Sequence, residues 1–228
     1  MHIRSHHDIA RNNGQAQRNF TTPSTYCPMH KPEEIRQLLS SWGELSTQHA
    51  HEWQGDALHL PQEIANFYEQ IGPFGPVIYE SVGPVGITLS VGGNPVSIPP
   101  LRKLLSLQAG YAWQSDPAQP FDDWPAHWLV IAEQGGDPFI YDKNTGQVYF
   151  AFHGAGRWDP KLFAPDLYTA IGALATVANA HEALSEQELN LDDGLTPEGR
   201  QQVLTALSQF TGDEALASAM LCAWEYYE

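Results

Sequence analysis

The chain has 228 residues, 42% of them hydrophobic, with seven Trp, nine Tyr and nine Phe, which is too much apolar material for a disordered chain and enough for one generous domain. Asp and Glu number 27 against 11 Lys and Arg, a formal net charge of -16, so the chain repels nucleic-acid phosphates and anionic lipid and favours encounter with a basic partner. No apolar run approaches the roughly 20 residues needed to cross a bilayer, and the two cysteines, Cys27 and Cys222, make no disulfide framework.

The opening "MHIRSHHDIARNNGQAQRNF" has neither an apolar h-region nor a helical period, so residues 1–30 read as a loose arm without a secretory signal. A reducing cytoplasm suits the cysteine usage. "KPEEIRQLLSSWGEL" is the first firm element. Pro32 suits a first helical position, Glu33 and Glu34 sit where the helix dipole favours acids, and Ile35, Leu38, Leu39 and Trp42 recur at helical spacing. "LPQEIANFYEQIG" repeats the pattern with Ile64, Phe67, Tyr68 and Ile71 behind Pro61.

Residues 72–100 are so punctuated by Gly and Pro that a long helix is excluded. "GITLSV" and "PVSIP" read as strands, and "LRKLLSL" as one or two helical turns. "QSDPAQPFDDWPAH", residues 114–127, reads as a surface loop carrying Asp116, Asp122, Asp123 and Trp124. "WLVIAE", "PFIYD" and "QVYFAFHG" then form an antiparallel meander. Its turns are "QGGD" and "KNTG", with Gly146 at the left-handed position. On the third strand Val148, Phe150 and Phe152 share one face.

"FAPDLYTAIGALATVANAHEAL" is a long helix beginning near Pro165, with Leu167, Ile171, Leu174 and Val177 along one side. Residues 181–228 then carry ten acids and one base, Arg200. They hold a polar linker, "SEQELNLDDGL", a helix capped by Thr196 ahead of Pro197, and a final helix in "GDEALASAMLCAWEYYE". The expected fold class is α+β, an antiparallel or mixed sheet flanked by helices. The organisation is an N-terminal arm (1–30), an α+β domain (31–180) and an acidic helical C-terminal extension packed on it (181–228).

Sites of chemistry are sparse in this pattern. "DKNTG" resembles the start of a calcium loop at Asp142 and Asn144, but the fifth, sixth and twelfth positions are Gly146, Gln147 and His153 rather than oxygen ligand, glycine and glutamate. "HAHE" (His49, His51, Glu52) and "CPMH" (Cys27, His30) are incomplete zinc sets. No G-x-S-x-G elbow, Walker lysine or basic cluster occurs. The expectation is therefore a chain without catalysis, cofactor, metal or obligate small molecule, binding neither nucleic acid nor membrane. A carboxylate-based hydrolase is the minor alternative, since 27 acids offer pairs that sequence cannot place.

Taken in order, "LPQEIANFYEQIGPFGP", "WLVIAEQGGDPFIYDKNTGQVYFAFHG" and the helix from "FAPDLYTAIGAL" resemble the SUKH superfamily of Smi/Knr type over roughly residues 31–180. The matching positions are Leu60, Pro61, Phe67, Gly72, Gly136, Asp137, Asp142, Gly146 and Val148. "IGPFGP" departs from the Asn-Gly turn common at Gly72. The resemblance implies an α+β fold without enzyme activity. It also implies a cytoplasmic immunity protein that neutralises a cognate protein toxin, often a nuclease, of a polymorphic toxin system. A regulatory scaffold is the alternative that fungal members suggest. Charge and exposure nominate two partner-binding surfaces: Asp122, Asp123 and Trp124 in the long loop, and Glu186, Glu188, Asp192 and Asp193 in the tail linker.

Overall fold

A computed structural model describes residues 30–226 except 54, 56, 57, 118, 155 and 191–193. The fold is α+β. Helices α1 (Pro32–Leu39) and α2 (Gln62–Gln70) precede strands β1 (Ile87–Leu89) and β2 (Val96–Ile98) and helix α3 (Leu101–Leu107). Strands β3 (Trp128–Gln134), β4 (Asp137–Asp142), β5 (Val148–Phe150) and β6 (Lys161–Ala164) follow. Helix α4 (Leu167–Glu182), a ribbon of β7 (Leu189–Asn190) and β8 (Gly194–Leu195), and helices α5 (Pro197–Thr211) and α6 (Glu214–Ala223) complete the chain. Strands β1 to β6 form one antiparallel sheet in sequence order. Among the described residues, no helix is long and apolar enough to cross a membrane.

Both faces of the sheet are covered, which explains the near-continuous apolar runs of β3 and β4. Leu129, Ile131, Phe139, Tyr141, Val148 and Phe150 enter the main core with the helices. Val130, Ile140 and Ala151 face a second, aromatic cluster. A register shift between Val130 and Ala132 lets both Ile131 and Ala132 join the main core.

Helix α4 is the hub of the helical layer. Twelve of its sixteen residues are buried, so it is apolar all round rather than along the single side that Leu167, Ile171, Leu174 and Val177 mark. Asp166 caps it, accepting from the Thr169 N–H at 2.7 Å. At Gly172 the missing side chain lets α1 and α5 close in, because a Cβ there would lie 2.2 Å from the Phe210 ring and 2.6 Å from Ile35 Cδ1.

Four elements differ from expectation. Helix α1 stops at Leu39, and Asn179 Nδ2 donates to the Leu38 carbonyl at 3.0 Å while its Oδ1 accepts from Trp42 Nε1 at 2.8 Å. The third meander strand ends at Phe150, so Phe152 leaves the sheet and is exposed. Its partner β6 carries no alternating pattern in "KLFA" to announce it, and the acidic linker holds the β7–β8 ribbon. The C-terminal extension shares the main core. Trp224 lies edge-on to Phe139 and Phe163, at 5.7 and 5.9 Å between ring centroids, and its Nε1 donates to Gln134 Oε1 at 2.6 Å.

Gly172→Ala should destabilise the protein by about 1–3 kcal/mol in urea unfolding, although alanine ordinarily favours a helix, because two packed side chains must move together. A stabilised variant would show that α1 and α5 are not seated on this notch.

Candidate functional site: an acidic surface on an aromatic layer

The long loop after α3 folds back over the second face of the sheet. It is fixed at its start by Gln108, which is buried. The Gln108 amide donates to the Leu104 and Val130 carbonyls at 2.9 and 2.8 Å, and its oxygen accepts from the Val130 N–H at 2.9 Å. Three residues on, Tyr111 places its hydroxyl 2.9 Å from Glu133 Oε2 and 3.0 Å from the Gly136 carbonyl. Burial, and then Glu133, push that phenol well above its usual range, so it stays a neutral donor.

Trp124 is 7% exposed and belongs to this aromatic layer. It meets Trp128 and Trp158 edge-on at 5.3 and 5.4 Å and Tyr111 at 5.9 Å. The sequence reading of Trp124 as an exposed anchor is therefore corrected: β3 and β4 present apolar side chains to both faces, and Trp124 covers the second one. Asp122 and Asp123 beside it are exposed, as expected. Asp123 lines a surface pocket of about 350 Å³ with Phe152, Gly154, Gly156, Arg157 and Trp158. The aromatic lining of this pocket is thus Phe152, packed on Phe150, and Trp158, packed on Trp124. Neither residue was singled out for binding, since Phe152 read as a strand residue and Trp158 stood in no motif.

The second nominated surface is partly committed to local structure. Glu186 is exposed. Glu188 Oε2 accepts from the Ser185 N–H and hydroxyl at 2.8 and 2.7 Å, and these hydrogen bonds hold its carboxyl below the usual range. Asp192 and Asp193 lie outside the described residues.

The turn acids act as hydrogen-bond acceptors for backbone. Asp137 Oδ1 accepts from the His153 N–H at 2.7 Å and sits 2.6 Å from His153 Nδ1. Asp142 Oδ1 accepts from the Asn144 N–H at 2.7 Å, and Gly146 takes φ 76° in the same turn. Among the described residues, no group of three His, Cys, Asp or Glu side chains is placed to hold a metal ion. His49 stacks on His51 and approaches Glu69, while His30 stacks on Phe210 and approaches Glu34; Cys27 lies outside the described residues.

One half-buried acid stands apart. Glu63, near the start of α2, accepts from the Tyr141 hydroxyl at 2.7 Å and so ties the helix to β4. Burial raises its pKa above the ordinary glutamate value, the Tyr141 hydrogen bond opposes that, and Asp166 adds to it. No family model, curated protein or solved structure matches the chain.

Two outcomes follow from these contacts. Asp137→Asn should cost about 1 kcal/mol in chemical denaturation, the worth of a weakened hydrogen bond between the start of β4 and the segment after β5, with partner affinity retained. A fully stable variant that has lost all affinity would make Asp137 a contact residue instead. For Glu63 the sign follows from its raised folded pKa: its contribution is fully present below the unfolded value and is lost as pH rises through the folded value. Glu63→Gln keeps an acceptor for Tyr141 without that loss. Its stability relative to wild type should therefore improve from pH 4 to pH 7, and a pH-independent difference would contradict the burial of this carboxylate.

Proposed function

We propose that the chain is a non-enzymatic immunity protein of SUKH type that binds a cognate, basic toxin in the cytoplasm, possession of a nuclease activity being the expected toxin chemistry. The observation that carries this reading is the pair Asp122 and Asp123, exposed on a braced aromatic layer beside the Phe152–Trp158 pocket of a chain with net charge -16. Exposed paired acids steer a basic protein toward the surface, and a rigid aromatic wall gives it an apolar contact at low entropic cost. Arg157 in the same pocket supplies one cation for an acidic group of the partner. The sequence resemblance supports the same class.

The probe is the C-terminal domain of the protein encoded immediately upstream, produced with and without this chain. Wild type should abolish its toxicity and bind it one to one. Asp122→Lys with Asp123→Lys should slow association by about tenfold at low salt, with the difference shrinking as salt rises. Failure of wild type to bind or protect would overturn the immunity reading. A folded double variant with unchanged association rates would remove this surface from the encounter.

A further inference from the structure

The segment Pro76–Val85, between α2 and β1, forms a small hairpin. Its arms are bridged at Val77 and Pro84, and the Val85 N–H donates to the Pro76 carbonyl at 3.2 Å. The tip is closed by the Val82 and Gly83 N–H groups, which both donate to the Tyr79 carbonyl, at 3.0 and 2.9 Å. At the base the Phe74 and Gly75 N–H groups reach the Glu44 carbonyl, each at 3.0 Å, and the Gly86 N–H reaches the Phe74 carbonyl at 2.9 Å. The arms approach so closely there that a Cβ on Gly75 would lie 1.7 Å from the Gly86 carbonyl oxygen. The Arg102 guanidinium lies over Gly83, 2.3 Å from where a Cβ would stand. This is a bonded, packed structure rather than a slack loop.

Its side chains nevertheless face water. Val77, Ile78, Tyr79, Val82 and Val85 are 52, 61, 68, 41 and 37% exposed. They are five of the seven large hydrophobic residues exposed among the described residues, so the apolar surface is concentrated rather than scattered. Four of the five are β-branched and stiff at χ1, and the backbone is already hydrogen-bonded, so little conformational entropy remains to be lost on docking. Glu80 sits exposed at the tip among them.

We infer that this hairpin inserts into an apolar cleft rimmed by basic side chains on the protein partner, a proposal that rests on the immunity reading. Charge selects the occupant. A second copy brings another -16, and an anionic bilayer repels the same field, whereas a basic protein meets both Glu80 and the apolar side chains around it. The hairpin is then a holding contact, distinct from the Asp122–Asp123 surface that acts on encounter.

The test measures binding of the same upstream-encoded domain to wild type, to Ile78→Ser with Tyr79→Ser, to Glu80→Lys, and to Leu162→Ser as an exposed apolar control outside the hairpin. The double serine variant should keep the wild-type melting temperature and weaken binding by about 100-fold, chiefly through faster dissociation. Glu80→Lys should slow association several-fold at low salt, and Leu162→Ser should leave both rates unchanged. If wild type binds and the double serine variant binds equally well, the hairpin proposal falls while the immunity reading stands. If wild type does not bind the domain, both fall. Concentration-dependent dimers lost in the double variant, or partition of wild type onto phosphatidylglycerol-containing vesicles, would assign the hairpin to a different occupant and overturn the proposal.

Discussion

Much of this architecture turns on how one residue of a central strand satisfies its backbone. Strand β2 pairs with β3 only at Glu133 and Gln134, which leaves the N–H and carbonyl of Val130 to find partners elsewhere in the interior. Gln108 supplies both from one amide, acting as a short substitute strand. Unmet, each buried group would cost about 1–3 kcal/mol. Gln48 does the same work at the other end of α3, accepting from the Leu101 N–H at 2.7 Å and donating to the Pro73 carbonyl at 2.9 Å. A helix of seven residues following an uncapped Pro100 has little stability of its own, so two buried amides locate it. Because Gln108 also starts the long loop, the same bonds aim Tyr111, and with it the aromatic layer, at the second face of the sheet.

The elements legible in the sequence are those whose local chemistry and tertiary role agree. Helices α1, α2 and α5 show periodic apolar faces, Thr196 caps α5 as its position suggests, accepting from the Gly199 N–H at 3.2 Å, and the glycines at 135, 136 and 146 occupy positive φ in their turns. Strand β6 was not legible because four residues whose pairing depends on a distant partner carry no period. Trp124 was misplaced because its Pro- and Asp-rich neighbours suggest solvent. The signal that could have placed it lay elsewhere: "WLVIA" and "FIY" are apolar at consecutive positions, so a half-exposed meander would have left Val130 and Ile140 in water. A second cover was required, and residues 111–128 with Trp158 held the aromatic side chains to make it.

The acidic composition divides into two populations with different physical consequences. Asp142, Asp166, Asp213 and Glu188 accept backbone N–H groups two or three residues away, at turns or helix starts, and Asp137 accepts from the distant His153 N–H, so their carboxylates are spent on backbone order. Sequence separates these from free acids only in part, since a residue at a cap and one on an open surface can share the same neighbours.

Charges of the second population act over a distance but hold weakly. An exposed carboxylate gains little once water and salt screen the final contact, so exposed acids such as Asp122 and Asp123 would, in the proposed complex, act mainly on the rate of encounter. Lasting association requires apolar area removed from water by groups that are already ordered. The Pro76–Val85 hairpin exposes such area on a backbone hydrogen-bonded at base and tip, while the buried Trp124 braces Trp158 beside the acidic pair. A net charge of -16 opposes close approach of two copies through such an exposed apolar hairpin, so under the proposed reading the acidity is as much a condition for carrying the hairpin as a means of attracting a basic partner.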